Sequence, residues 1–349
     1  MSTFDDETKC GCTACKTRRR EPTTNRYGQV HRWNYTPRRW TVKRLTGDTF
    51  PYAMGVELET SAHGDALWQE AVVGLRRPKT LWFCKYDASV SGPEFVSHPA
   101  TLTYWKSKAP QLQEMFSLLV HAGYRSHDGG EAGMHVNIDK SAFTDARHLH
   151  RFLTFLYANP DWTLEVSQRH SGHMNQWAAM RHYTLGHAER MLSTSGYSPT
   201  SKYSIVNAPD YQKRLEFRLP RGTLRLDRFY KNLEWTAALI AYTRPVTDPY
   251  RLALRAPSFM QWLRDYGTTY ENLINFTNER GQQLTSAMER DYLSHAPRLL
   301  DCEYDQAAQL VYGPPRPSDS ELETNAWRNR THIPYVSDYT ITNNTTTQF

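Results

Sequence analysis

No run of about 18 apolar residues occurs in the 349-residue chain, so a membrane-spanning helix of ordinary length is not expected. An apolar signal core is also missing: the first ten residues, MSTFDDETKC, are polar and acidic, and the protein is expected to be cytoplasmic. Cysteine is scarce. There are five, an odd number, and three of them crowd into Cys10, Cys12 and Cys15, which argues against a disulfide framework. No internal repeat and no heptad run is present. Hydrophobic residues still make up 39 % of the chain and aromatics 13 %, enough for a sizeable core, so global disorder is excluded.

Net charge is missing from most of the chain. Residues 1–48 hold 11 Lys/Arg against 5 Asp/Glu, whereas residues 49–349 hold 31 of each sign. The chain therefore divides into a basic arm (1–48), a body (49–300) and a polar tail (301–349) rich in Pro, Asn and Thr, with body and tail together neutral. A basic arm suits an anionic partner such as nucleic acid. Its Cys10-Gly-Cys12-Thr-Ala-Cys15 spacing offers three thiolates to zinc, with His31 or a distant cysteine as a fourth ligand. Lys16, Arg18, Arg19 and Arg20 follow directly, so a zinc knuckle beside a basic run would favour a polyanion. The alternative is a solvated tail with three free thiols.

In the body, alternation predicts strands at 52–60, 81–87, 93–97, 133–139, 202–207 and 214–220. Helical spacing predicts helices at 65–75, 101–122, 144–158, 161–168 and 227–243, with two more in 256–300. Pro110 should interrupt or offset the helix around it, and Asn159-Pro160 should split its neighbours. The mixture lacks a strict βαβ rhythm. That favours an α+β fold, an antiparallel sheet with helices on one face.

Side chains at i and i+2 of a strand share a face. In GVELE, Glu57 and Glu59 share one, with Val56 and Leu58 opposite. In GMHVNID, His135 and Asn137 stand against Met134, Val136 and Ile138. In RLEFRLP, Glu216 and Arg218 stand against Leu215, Phe217 and Leu219. The segment DASVSGPEFVSHP adds Asp87 and Glu94 around a Gly-Pro turn. Two carboxylates on one strand face repel unless a cation sits between them. Hard oxygen ligands with one imidazole suit magnesium or manganese better than zinc, and magnesium is usually shared with substrate phosphates.

These segments, in this order, resemble the glutamine-synthetase-like carboxylate–amine ligases, and most closely the amidoligase family. GVELE is similar to the family's first metal strand, and DASVSGPEFVSHP to its Asp-Gly-Ser, Gly-x-Glu and Ser-x-Pro segment. AGMHVNID is similar to its Gly-x-His-x-His strand. KYSIVN matches the Tyr and Asn element before the Glu-Phe-Arg and Gly-Thr-Leu segment, which RLEFRLPRGTL resembles. The resemblance covers roughly residues 51–245. It implies a half-barrel sheet with helices packed on its outer face. It implies ATP and Mg2+ (or Mn2+) as cofactors, and an amide or isopeptide bond formed through an acyl phosphate. Glu57, Glu59 and Glu94 would be metal ligands, and His135 and Glu216 would hold the metal nearest the nucleotide phosphates. Arg218 would meet the transferred phosphoryl group. Lys202, Arg221, Asn137 and Arg169 would be further contacts to nucleotide or substrate, with Asp87 as candidate base. The acceptor would be an amino acid, an amine or a peptide. Asn137 stands where many relatives have a second His, Ala88 where Gly is usual, and the arm has no counterpart. Two other readings fit the same segments: a phosphotransferase that phosphorylates a nitrogen, and a non-catalytic nucleic-acid-binding or structural protein.

If the arm recruits a polyanion, its removal should abolish binding that weakens steeply between two salt concentrations, because each phosphate contact releases counterions. A zinc chelator should reproduce part of that loss. Equal, negligible nucleic-acid binding with and without the arm would dismiss that role.

Overall fold

The computed structural model describes residues 30–31, 40–62, 81–87, 89–127, 132–169, 178, 183–193, 203–209, 213–244, 254–265 and 268–293. The helix expected at 65–75, the cysteines of the arm and the tail from 301 lie outside the described residues.

The strands are β1 (Val30–His31), β2 (Met54–Glu59), β3 (Ser61–Ala62), β4 (Trp82–Tyr86), β5 (Pro93–Ser97), β6 (Tyr124–Arg125), β7 (Met134–Asp139), β8 (Val206–Asn207) and β9 (Arg214–Phe217). Seven of them form one open sheet in the order β1-β4-β5-β2-β7-β9-β8. All neighbours pair antiparallel except the two-residue edge strand β1, which joins β4 in parallel. β3 and β6 make a separate two-stranded ladder. The antiparallel sheet with helices is as expected; the sheet is open. Two pieces of the segment expected as an arm sit on the body. β1 is one, and Lys43 is the other: it bridges to Ala100 and donates its N–H to Pro99 O at 2.8 Å. A chain cut at Gly47 would lose both, so neutralising Lys16, Arg18, Arg19 and Arg20 isolates the arm's charge more cleanly.

The helices are α1 (Leu102–Ser107), α2 (Ala109–His121), α3 (Ala146–Ala158), α4 (Pro160–Ser167), α5 (Leu185–Leu192), α6 (Leu226–Thr243), α7 (Ala256–Asp265) and α8 (Glu271–Glu279). Pro110 sits in the first turn of α2, where its missing N–H costs nothing, so the chain breaks at Lys108 between α1 and α2. Asn159 closes α3 and opens α4, and Pro160 starts the new helix. The last expected helical region holds three stretches rather than two. A turn at Arg280 separates α8 from a further helix at 281–293. β8 and β9 are shorter than the pattern implied. After Phe217 the chain leaves β9, and Pro220, with no N–H to give, only accepts from Met134 N at 3.1 Å.

Alternation fixes which side of the sheet is dry. Cys84, Phe95, Leu58 and Met134 form one cross-strand row, and Val56, Val136, Phe217 and Val206 form the next. All eight are buried. They pack on α1, α2, α3 and α6 through edge-on rings: Trp82–Trp105 at 5.4 Å, Trp105–Phe229 at 5.5 Å and Phe217–Trp235 at 5.3 Å. Trp105 Nε1 donates to Met54 O at 2.9 Å, which ties the helical layer to β2.

His148 joins α3 to α6. Thr144 N donates to its Nδ1 at 3.1 Å, so the neutral ring carries its proton on Nε2, which donates to Ile240 O at 2.8 Å. Burial lowers its pKa to about 4, outweighing the hydrogen bond to Ile240. Between that value and the unfolded value of about 6.5, the unfolded chain binds a proton that the folded chain does not. This contribution is full above pH 6.5 and is lost as pH falls toward 4, on the order of 3 kcal/mol at most. Urea unfolding at pH 7.5 and 4.5 should show a smaller pH difference in His148→Gln than in the wild type. Equal differences would remove His148 as the source.

Candidate active site

The opposite face of the same sheet gathers the polar groups, again in rows. Lys85, Glu94 and Glu59 lie side by side on β4, β5 and β2. Glu57 on β2 stands directly opposite His135 on β7. Asn137, Glu216 and Asn207 form a third row on β7, β9 and β8. The face is not wet. Glu57 is 8 % exposed, Glu59 7 %, Glu94 2 %, His135 3 % and Glu216 5 %.

His135 is the hub. Its Nδ1 lies 3.3 Å from Glu216 Oε1 and 3.6 Å from Glu57 Oε2, and its Nε2 lies 3.7 Å from Glu59 Oε1. None of these contacts is aligned as a good hydrogen bond, and buried Nδ1 has no such partner. One ligand atom each from Glu57, His135 and Glu216 lies within 4.8 Å of the others. Adjacent ligands of an octahedral ion at about 2.1 Å are about 3 Å apart, and the 3.3 and 3.6 Å separations of Nδ1 from the two carboxylates are near that spacing. Two carboxylates and an imidazole are also a donor set that magnesium or manganese accepts. Glu59 completes its bonding elsewhere, taking the Gly133 N–H at 2.5 Å. Gly133 leaves needed room: a Cβ there would sit 3.2 Å from Glu59 Oε2 and 3.3 Å from His135 Nε2.

Basic groups offset the crowded carboxylates. Arg214 Nη1 binds Glu57 Oε1 at 2.6 Å, Arg218 Nη1 binds Glu216 Oε1 at 2.7 Å, and Lys85 Nζ binds Glu94 Oε2 at 2.8 Å. Arg214 also reaches Asn137 Oδ1, while Asn137 Nδ2 donates to Glu57 Oε1 at 3.0 Å and Asn207 Nδ2 to Glu216 Oε2 at 2.9 Å. Burial would raise the pKa of Glu57, but Arg214, His135 and Lys85 hold it well below the usual range. Burial would raise Glu216 too, and the close His135 ring with help from Arg218 brings it to about 2. Burial and the Glu57 charge push Glu94 up to about 8 despite Lys85. Burial and Arg218 would lower His135, but Glu59, Glu216 and Glu57 lift it to about 9.

The other expected residues divide. Arg169 reaches the face, donating from Nη1 to Arg218 O at 2.6 Å beside Glu59; burial lowers its pKa to about 10. Arg221 points to the carboxyl end of α4, with its N–H on Ser167 O at 3.0 Å and Nη1 on Gln168 O at 3.3 Å. It is not drawn into the trio. Asp87 follows Lys85 by two residues and is held in its own turn, its Oδ1 accepting from Ser89 N and Oγ, each at 2.7 Å. Lys202 and Cys10, Cys12 and Cys15 lie outside the described residues; His31 is in β1, its ring 6.3 Å from Phe83. Sequence reasoning missed Lys85, Arg214 and Asn207. The signal existed for the first two, since Lys85 alternates with Phe83 and Asp87, and Arg214 lies two residues before Glu216. Asn207 ends the KYSIVN segment but gains a role only through pairing with β9.

Glu57→Gln and Glu216→Gln each keep an acceptor for the facing arginine, so the fold should survive. Mn2+ affinity, measured by calorimetry, should fall at least about 10-fold in each. Unchanged affinity in both would discard the trio as ligands.

No curated protein matches the chain. Residues 75–240 match the model of a family described as "Putative amidoligase enzyme". The match takes in Glu94, His135, Asn137, Glu216 and Arg218 but begins after β2, so Glu57 and Glu59 enter the site through strand pairing. Over that span, with the site's rows crossing it, the chain is similar to the amidoligase family.

Proposed function

We propose that the protein is an ATP-dependent carboxylate–amine ligase, forming an amide or isopeptide bond on an amino acid, amine or peptide. The convergence of Glu57, His135 and Glu216 carries this reading, because it groups donors suited to a divalent cation beside partly buried guanidinium groups. A carboxylate is a poor acylating agent, and phosphorylating it with ATP makes an acyl phosphate that an amine can attack. A bound Mg2+ would neutralise and align the two anions that must meet.

The chain's own residues supply the rest. Glu57, His135 and Glu216 would hold one cation, and Glu59 and Glu94, facing each other on β2 and β5, would serve a second. Arg218, now bound to Glu216, would turn its fork to the transferred phosphoryl oxygens once a cation takes that carboxylate. Arg169, beside it, would take a further phosphate or carboxylate oxygen, and the same exchange would release Arg214 and Lys85 toward anions. Burial strengthens each of these contacts and excludes the water that would hydrolyse an acyl phosphate. The amine must lose a proton as it attacks. Asp87 is the candidate base: Ser89 occupies its Oδ1, which leaves Oδ2 to accept that proton.

The test is ATP turnover with Mg2+ across amino acids, amines and peptides, with hydroxylamine to trap an acyl phosphate as a hydroxamate and mass spectrometry of products. A new amide and released phosphate are expected. A stable phosphorylated nitrogen product would instead establish the phosphotransferase. Arg218→Lys should slow turnover by roughly 10³-fold, since one ammonium cannot reproduce the guanidinium fork. Turnover near the wild-type rate would take Arg218 out of the mechanism.

A further inference from the structure

A lysine lies where the ligase reading has no use for one. Lys231, inside α6, is 1 % exposed and forms no ion pair among the described residues. Its ammonium donates to Val166 O at 2.5 Å and lies 4.7 Å from the Phe276 ring centroid and 5.9 Å from that of Trp235. A buried unpaired ammonium is costly, and burial together with Arg228 and Arg221 lowers its pKa well below the ordinary lysine value. A methionine would fill the same space at no electrostatic cost. What the lysine gives that a methionine cannot is a grip on a carbonyl.

That carbonyl belongs to the last turn of α4. The helix ends on Gln168 at φ 59° and ψ 18°, left-handed and the one non-glycine residue at positive φ among the described residues. The turn is unfavourable for a side-chain-bearing residue and persists because its surroundings enforce it. Lys231 holds Val166 O, and Arg221 holds Ser167 O and Gln168 O. A cation at a helix carboxyl end is also favoured by the helix dipole. The next residue is Arg169. Its N–H is fixed by Ser167 Oγ at 3.0 Å, and its guanidinium reaches Arg218 O, with Nη1 3.6 Å from where a Gly133 Cβ would lie.

We propose that Lys231 is a positioning residue: by clamping the carboxyl end of α4 it fixes the Gln168 turn and so aims the Arg169 guanidinium at the anion the site takes. The inference rests on the ligase reading, because it presumes a phosphate-bearing ligand beside Glu59. It requires that Lys231 act on anion binding and not on the metal trio.

The full-length chain is compared with Lys231→Met, Arg169→Ala and the double variant. The probes are Mn2+ alone and inorganic tripolyphosphate in the presence of Mn2+, both by calorimetry. Lys231→Met should leave Mn2+ affinity unchanged and weaken tripolyphosphate about 10-fold, and the double variant should bind no more weakly than Arg169→Ala, because both changes cut one link. Tripolyphosphate affinity equal to wild type in Lys231→Met, or additive losses in the double variant, would overturn the role of Lys231 while leaving the ligase reading intact. A wild-type chain that binds Mn2+ but no tripolyphosphate would take both down. If Lys231→Met does not fold, Ser167→Ala cuts the next link, between the clamped turn and the Arg169 N–H, without removing a charge: weaker tripolyphosphate binding is expected, and unaltered binding would overturn the inference.

Discussion

The antiparallel pairing of β2 with β7 sets Glu57 opposite His135 and Gly55 opposite Asn137, and every other feature of the polar face is placed relative to that pair. Side-chain direction alternates with a period of two. A slip of one residue would push Glu57 and Glu59 into the aromatic layer and turn Val56 and Leu58 outward. The apolar rows beneath therefore lock the register of the polar rows above. β5 and β9 dock on the two sides of this pair, bringing Glu94 to Glu59 and Glu216 to Asn137. Residues far apart in sequence become one site because the sheet is rigid and dry on its other face.

Burying four carboxylates so close together would be strongly unfavourable alone. The protein offsets it with its own cations, Arg214 on Glu57, Arg218 on Glu216 and Lys85 on Glu94, and with His135, whose pKa is raised by the three glutamates around it. The same pairs bear on the metal–phosphate complex proposed above. In that proposal divalent cations would replace the basic groups at the carboxylates, and the freed arginines and lysine would then face phosphate oxygens. Each partner would exchange one ion pair for another, leaving little charge uncompensated in the interior.

Behind the sheet, α6 carries most of the helical layer. Phe229 and Trp235 pack on the sheet's apolar face. Tyr230 donates its hydroxyl to Trp105 O at 2.7 Å, and Asn232 donates to Arg221 O at 3.3 Å. Glu234 takes the Leu273 N–H at 2.9 Å and so caps the start of α8. One helix thus supports the core on one side, holds the segment leading to Arg169 and Arg221 on another, and orders the next helices on a third.

The sequence by itself determined the local elements and their two-sidedness. Alternation in GVELE, GMHVNID and RLEFRLP, and the breaks at Pro110 and Asn159-Pro160, are short-range facts of backbone geometry, and the sheet and helices form where these patterns lie. The order of those segments also pointed to the family. Local pattern could not say which strands are neighbours, because pairing partners are set by the whole packed core. Tertiary structure alone decided that Glu57, rather than Glu59, joins His135 and Glu216, and that the carboxylate face is buried instead of wet. It also decided that Arg214 and Lys85 neutralise that face and that Arg221 turns to the end of α4, since long side chains go where opposite charge and open carbonyls lie, and only the fold puts those within reach.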